Sequence, residues 1–370
     1  MSYHLLIVIF LASSCLDREV PLIQDYEDEW QLDVASQFIE NPGLPVVRPV
    51  TIDYKTTSDG FLLLILNRQV NQVELGDYFL VKISPEGEII KTLDLPSGYA
   101  MMDILDQKNA GFIFYMTTDF QAPEYIKVTV DENLTLHQSN FNFTRPLTFH
   151  TLKFSESDLF LSQYEGSFPG TRVSRFNLAG ELQWTMTYNS KYIRPFPVIH
   201  GFQLFFYDQR HPDSVAVSAI DAQMGAVQWT TTYTSAQAFG VNTVNSSYYR
   251  LIENQLFLYG YVEESRRFYI SKLNLSNGSK VFQKSSLLDQ GSVNSWSSSL
   301  AEPAEDGGFL IMSRDENRTY LYKTDAAGNV GWKGDFLDRG VGVPVEAPNG
   351  DVYVVSDGYV FKLRAIRRSL

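Results

Sequence analysis

Cysteine is all but absent from this 370-residue chain. Cys15 stands alone, so no internal disulfide can form and stability has to come from a packed core. Histidine is scarce as well. His4, His137, His150, His200 and His211 include no His-x-x-x-His or Cys/His spacing, so no metal site is expected. Basic residues are outnumbered, 30 Lys and Arg against 43 Asp and Glu, and the net charge of −13 would repel a phosphate backbone. Nucleic acid is thereby removed from the expected partners. No apolar run approaches the roughly 20 residues of a membrane-spanning helix. Neither a Gly-x-Ser-x-Gly elbow nor a phosphate-cradling glycine loop is present, which leaves no local signature of hydrolase or nucleotide chemistry. What the chain does have is 44% hydrophobic and 14% aromatic residues with only 20% charged, the composition of a globular protein with a large core.

The longest apolar run, Leu5 to Ala12, is followed by the small residues Ser13 and Ser14 and then Cys15. That order matches the h-region and cleavage site of a secretory signal. Leu11-Ala12-Ser13-Ser14-Cys15 resembles a bacterial lipobox, although its leucine sits four positions before the cysteine. The resemblance implies cleavage after residue 14, a lipid on Cys15 and residence in the cell envelope, with membrane contact through the lipid only. Residues 15–27, acidic and poor in apolar side chains, read as a tether.

Internal repeats set the rest. Seven apolar runs, each opened by a turn residue, recur about fifty residues apart: Gly60-Phe-Leu-Leu-Leu, Gly111-Phe-Ile-Phe-Tyr, Asp158-Leu-Phe-Leu, Gly201-Phe-Gln-Leu-Phe-Phe, Asn254-Gln-Leu-Phe-Leu, Gly308-Phe-Leu-Ile-Met and Gly350-Asp-Val-Tyr-Val-Val. A second run follows each, carrying a cation at a matching place: Lys82, Lys127, Arg175, Lys272, Lys323 and Lys362, with Ala219 there in the fourth repeat. Long side chains of this kind are expected to lie along the strand faces. Another extended segment precedes each opening run, such as Val50–Tyr54, Pro146–His150 and Val343–Ala347.

Beyond the second run comes another turn and a third run with its own register. Four residues past Gly180, Gly225 and Gly328 lie Trp184, Trp229 and Trp332. The same count from Gly278, Asn133 and Gly87 gives Phe282, His137 and Lys91. Side chains alternate along a strand, so a large group at a fixed distance from the turn always faces the same inter-sheet space. His137 is accordingly expected to pack there. Four strands per repeat with hairpin-length connections leave no room for a helix of ordinary length.

The last repeat lacks a Trp-bearing fourth run, and Asp28-Glu-Trp30-Gln-Leu-Asp33 stands ahead of the first repeat without partners. The predicted fold is all-β: one domain, residues 28–370, forming a seven-bladed β-propeller of four-stranded antiparallel blades, its last blade closed by an N-terminal strand around Trp30.

Ser218-Ala-Ile-Asp-Ala-Gln-Met-Gly-Ala-Val-Gln-Trp229 and Lys323-Thr-Asp-Ala-Ala-Gly-Asn-Val-Gly-Trp332, with Phe176-Asn-Leu-Ala-Gly-Glu-Leu-Gln-Trp184 as a looser match, resemble repeats of the PQQ-like (quinoprotein-type) propeller superfamily. The resemblance implies how blades dock. Quinone-dependent members use paired adjacent cysteines at the cofactor, and this chain has none, so no cofactor is expected. Lipid-anchored members act as binding modules.

One residue class is unevenly spread. If strands are assigned as above, the face carrying the second-to-third and fourth-to-first connections collects Arg68, Arg145, Arg194, Arg210, Arg266, Arg267, Arg314, Arg318 and Arg339, nine of seventeen arginines. Tyr192, Phe196, His211 and Phe239 accompany them. Guanidinium forks beside aromatic rings suit carboxylates and acidic sugars. The candidate ligand-binding set is Tyr192, Arg194, Arg210, His211, Phe239, Arg266, Arg267, Arg314 and Arg339. The expected function is a monomeric lipid-anchored binding or scaffold module for a protein, peptide or acidic glycan, without catalysis of its own. The alternative is a polysaccharide hydrolase or lyase with carboxylates, or His150 and His200, around the central channel.

Overall fold

A computed structural model describes residues 26–38, 49–68, 77–107, 111–118, 124–141, 151–155, 157–164, 171–188, 198–200, 203–211, 214–239, 246–252, 255–262, 265–288, 301–304, 306–314, 318–325, 327–337, 343–356 and 359–365. Strand β1 (Tyr26–Asp33) leads into a short 3-10 turn, Ala35–Phe38. Six blades then follow in chain order. Blade 1 is β2 (Val50–Thr56), β3 (Leu62–Arg68), β4 (Asp77–Ile83) and β5 (Ile89–Asp94); blade 2 is β6 (Ala100–Gln107), β7 (Gly111–Thr117), β8 (Tyr125–Val130) and β9 (Leu136–Phe141). Blade 3 is β10 (Thr151–Phe154), β11 (Asp158–Tyr164), β12 (Thr171–Asn177) and β13 (Leu182–Tyr188); blade 4 is β14 (Val198–His200), β15 (Gln203–His211), β16 (Ser214–Asp221) and β17 (Val227–Thr234), after which comes the five-residue helix α1 (Ser235–Phe239). Blade 5 is β18 (Ser246–Ile252), β19 (Gln255–Val262), β20 (Arg267–Leu273) and β21 (Lys280–Leu287); blade 6 is β22 (Ala301–Pro303), β23 (Phe309–Arg314), β24 (Arg318–Thr324) and β25 (Val330–Leu337). The seventh is β26 (Val343–Glu346), β27 (Val352–Ser356) and β28 (Tyr359–Ala365), and its fourth strand is β1. The molecule is therefore a seven-bladed β-propeller closed by its N-terminal strand.

The middle strands hold the core. Leu62 to Leu66, Phe112 to Met116 and Leu256 to Tyr259 are buried on both faces, as strands sandwiched between neighbouring blades must be. Outer strands alternate, with half-buried Trp184 and Trp229 between exposed neighbours.

The register of the outer pair repeats around the ring. Lys82 faces Lys91, Arg175 faces Trp184, Ala219 faces Trp229, Lys272 faces Phe282 and Lys323 faces Trp332. One extra residue is bulged just before the docking position in each of these blades, which is why a count of four from the turn glycine finds the ring. The closing strand copies the arrangement: Trp30 faces Lys362, Asp28 faces Leu363, and Glu29 is the extra residue. Blade 2 departs. Its outer pair runs without a bulge, His137 faces Thr129, and Leu134 takes the left-handed turn position at φ 57°. Two expectations fail there: the repeat's cation place holds Thr129 rather than Lys127, and His137 is exposed rather than packed.

The cations have a sharper role than covering strand faces. Lys362 Nζ donates to the Pro85 carbonyl at 2.8 Å, Lys82 Nζ to the Glu132 carbonyl at 3.1 Å and Arg175 Nη1 to the Gln223 carbonyl at 3.1 Å, each reaching the next blade's third-to-fourth hairpin. Those hairpins are shaped by side chains the repeat pattern did not disclose. Asp131 Oδ1 accepts the amides of Asn133 and Thr135, Asn177 Oδ1 those of Ala179 and Glu181, and Asp221 Oδ1 those of Gln223 and Met224. Such Asx turns present the following carbonyl outward to an incoming donor.

Blade 7 ends before such a hairpin, and blade 6 reaches it differently. Lys323 Nζ sits 2.5 Å from Glu346 Oε1 and 3.1 Å from Asp306 Oδ2, with the Glu346 side chain only 4% exposed. Burial pulls the ammonium pKa down, but the two carboxylates outweigh it and hold it above 10.5. A raised cation pKa stabilises the fold below the unfolded value and loses that contribution as pH rises through the folded one. Glu346→Gln should therefore cost roughly 3 kcal/mol at neutral pH. The gap in melting temperature between the two proteins should shrink once pH passes 10.5; an equal gap at pH 7 and pH 11 would contradict the pairing.

Candidate functional site

In a blade of this topology the second-to-third hairpin emerges opposite the Asx-turn face. Arg210 and His211 end β15 in blade 4, Arg267 opens β20 in blade 5 with Arg266 in the turn before it, and Arg314 ends β23 in blade 6. The backbone thus brings these expected site residues to one face of three consecutive blades. Phe239 joins them at the end of α1, on the fourth-to-first connection of blade 4. The side chains of Arg210, His211, Phe239 and Arg314 lie outside the described part, as do Tyr192, Arg194, Arg339 and Cys15 altogether. His200 ends the innermost strand of blade 4. His150 lies outside the described residues, as does the extended segment expected over Pro146–His150; the first described strand of blade 3 is β10, Thr151–Phe154.

Arg266 and Arg267 are placed in full. Val262 pairs with Arg267, and the described residues just before that pair, Ser265 and Arg266, form a turn. Arg266 occupies that turn with φ 51°, a left-handed conformation that a residue with a Cβ adopts at a cost of about 1–2 kcal/mol. Its carbonyl accepts the amide of Leu288 at 2.8 Å, and Leu288 is fully buried in the core shared by blades 5 and 6. The strained residue is therefore anchored from below while its side chain stands exposed. Arg267 is half-buried, and its Nη1 donates to Ser285 Oγ at 3.2 Å. The Arg267 guanidinium is oriented by a hydroxyl beside the exposed Arg266 side chain, and two neighbouring planar donor groups of this kind suit a planar anion. The arginine bias was visible in the sequence; the left-handed backbone that raises Arg266 was not, because no glycine or asparagine announces it.

Innermost strands of blades 1 and 2 carry a second feature missed by sequence reasoning. Each is bulged at a matching place, after Thr51 and after Met101, and the next carboxylate folds back on its own strand. Asp53 Oδ1 accepts the Tyr54 amide at 2.8 Å and Asp103 Oδ1 the Ile104 amide at 3.0 Å. Among the described residues no group of three or more His, Cys, Asp or Glu side chains has a geometry that would hold a metal ion.

No protein-family model matches this chain, and neither does any curated protein sequence. Solved structures do. Puromycin hydrolase is similar over 91% of this chain and 54% of its own length, at 9% identity and a TM-score of 0.51. The β-propeller domain of the Trilobed protease from Pyrococcus furiosus, described as having an open velcro topology, is similar over 86% and 95% at 11% identity and a TM-score of 0.46. Acylaminoacyl peptidase from Pyrococcus horikoshii is similar over 83% and 49% at 11% identity and a TM-score of 0.48. The chain spans about half the length of the two hydrolases. At such identities the likeness defines a class by fold, the β-propellers, and nothing about chemistry.

Proposed function

We propose that this propeller is a binding module whose arginine-bearing face, on blades 4 to 6, takes a carboxylate-rich partner: a protein, a peptide or an acidic glycan. The observation that carries the reading is Arg266, exposed on a strained turn pinned by Leu288, beside Arg267 oriented by Ser285. Strain held in place by a buried anchor is a feature of ligand-binding loops. The body of the molecule carries a charge of −13, so a cationic rim would have to be selective for anions rather than generally adhesive. Membership of the PQQ-like group, without its quinone site, is supported by Trp184 and Trp229, which dock on the next blade's turn. Attachment to the cell envelope through a lipid on Cys15 rests on the lipobox resemblance alone.

Poly-L-glutamate and polygalacturonate, with neutral dextran as control, test the proposal. Binding that weakens with salt and falls about tenfold or more in Arg266→Ala/Arg267→Ala is expected, since each lost charged hydrogen bond is worth around 1.5–3 kcal/mol. Unchanged affinity in the double variant would overturn the assignment.

A further inference from the structure

Seven large apolar side chains stand exposed among the described residues, and five of them lie at one level of one face. Ile90, Leu182, Val227 and Val281 are each the first or second residue of an outer strand, β5, β13, β17 and β21, and Met224 sits in the hairpin that leads into β17. They are 49% to 71% exposed and mark the rim of the Asx-turn face on blades 1, 3, 4 and 5. Ile90 and Val281 are themselves the extra residues of the outer-pair bulges. Half-buried Trp184 and Trp229 belong to the same rim. Their Nε1 atoms donate to the Ala222 and Leu275 carbonyls at 3.0 and 2.9 Å, so neither indole has a polar atom that still needs water. Single exposed apolar residues are ordinary on a protein surface; five confined to one rim are not.

The course of the closing strand gives that face a direction. β1 starts at Tyr26, opposite Ala365, and ends at Asp33, opposite Tyr359. Tyr359 opens β28 after the second-to-third connection of blade 7 and so marks the arginine-bearing side, which puts Tyr26 on the Asx-turn side. Cys15 is eleven residues before Tyr26, and an extended chain of that length reaches about 40 Å at most. An acyl chain on Cys15 would therefore hold the Asx-turn face, and not the arginines, toward a bilayer.

We propose that this face rests on a zwitterionic phospholipid surface, with its apolar rim in the headgroup layer. The proposal rests on the lipid reading of Cys15 and goes beyond contact through the lipid alone. The five side chains are spread over four blades instead of gathered in one patch, so a plane meets all of them at once. Blade 7, where the closing strand enters, lies across the ring from blades 3 and 4, so anchor and rim support the molecule from opposite sides. Glu86, Glu88 and Glu181 stand exposed beside the apolar positions, which disfavours anionic lipid. The turn carrying Arg266 and Arg267 then points away from the bilayer, open to a carboxylate-rich partner.

The test couples the full-length protein through Cys15, its one thiol, to a maleimide lipid in phosphatidylcholine vesicles. Tryptophan fluorescence is then compared in plain and dibrominated phosphatidylcholine, because Trp30, Trp184, Trp229 and Trp332, four of the five tryptophans, lie on outer strands. Quenching by the brominated lipid is expected. Leu182→Glu/Met224→Glu/Val227→Glu, all at exposed positions, should keep the melting temperature and lose the quenching. Ile90→Glu/Val281→Glu should weaken it independently, and Arg266→Ala/Arg267→Ala should leave it intact. A coupled parent that is not quenched, or a triple variant quenched as strongly as the parent, would overturn the proposal. So would an uncoupled protein that sediments as a dimer dissolved by the triple variant, which would make a second copy of this chain the occupant. Because coupling stands in for the cell's lipid, failure here counts against the rim, whereas an unmodified Cys15 in protein recovered from a bacterial envelope would count against the anchor.

Discussion

A chain beginning at Val46, and so without β1 and the 3-10 turn, should lose its single cooperative melting transition and aggregate on heating. Two consequences follow from removing one strand. The first is the edge: β1 pairs with β28 from Tyr26 opposite Ala365 to Asp33 opposite Tyr359, and its loss exposes that row of backbone donors and acceptors to other molecules. The second is the core. Val34 is fully buried between blades 7 and 1, Leu32 packs beside it, and Phe38 stands 4.7 Å from the ring of Phe79 in β4. At roughly 1.5–3 kcal/mol per buried apolar side chain these three contribute on the order of 5 kcal/mol, comparable with the whole stability of many domains. Differential scanning calorimetry of the two chains decides the matter. A truncated protein with the same melting temperature and the same enthalpy would show that the strand is an addition to a ring already closed.

That strand was legible from Trp30 and its acidic surroundings because it repeats the outer-strand pattern down to the extra residue, Glu29. The hairpin turns were legible for a similar reason: glycine at a positive φ and alternating apolar residues leave a local signal. Where the local signal changed, the reading slipped. In blade 2 a leucine occupies the left-handed turn position and the bulge is gone, so the repeat's cation place falls on Thr129 and not on Lys127 two residues earlier. The partners of Lys82, Lys362 and Trp229 were out of reach because a carbonyl acceptor belongs to the backbone, and every residue type carries one. Of the candidate site, the crowding of arginines on one face followed from topology. The feature that distinguishes Arg266 from any other surface arginine is a backbone angle fixed by Leu288, twenty-two residues away in the chain.

Substitution at Gly278 should be among the most damaging single changes in the protein, and the reason is the docking scheme rather than the turn. Gly278 sits at φ 69° in the blade 5 hairpin, and a Cβ there would lie 2.5 Å from Cζ3 and 2.7 Å from Cε3 of Trp229 in blade 4, and 2.6 Å from Thr231 Oγ1. Tyr233 donates to the Gly278 carbonyl, so the turn is held from a third side and has little freedom to withdraw. Gly350 offers the control. It has a similar φ of 85°, but a Cβ there meets nothing within 4 Å. Alanine at Gly350 therefore carries the backbone cost alone, about 1–2 kcal/mol. Alanine at Gly278 adds an overpacking cost of about 1–3 kcal/mol, because the indole must leave its hydrogen bond to Leu275. At roughly 1.5 °C per kcal/mol in a protein of this size, Gly278→Ala should melt about 5 °C below the parent and Gly350→Ala about 2 °C below. Equal losses at the two glycines would mean that the indole yields at no cost, and that the ring is held together by its buried middle strands rather than by the tryptophans on its rim.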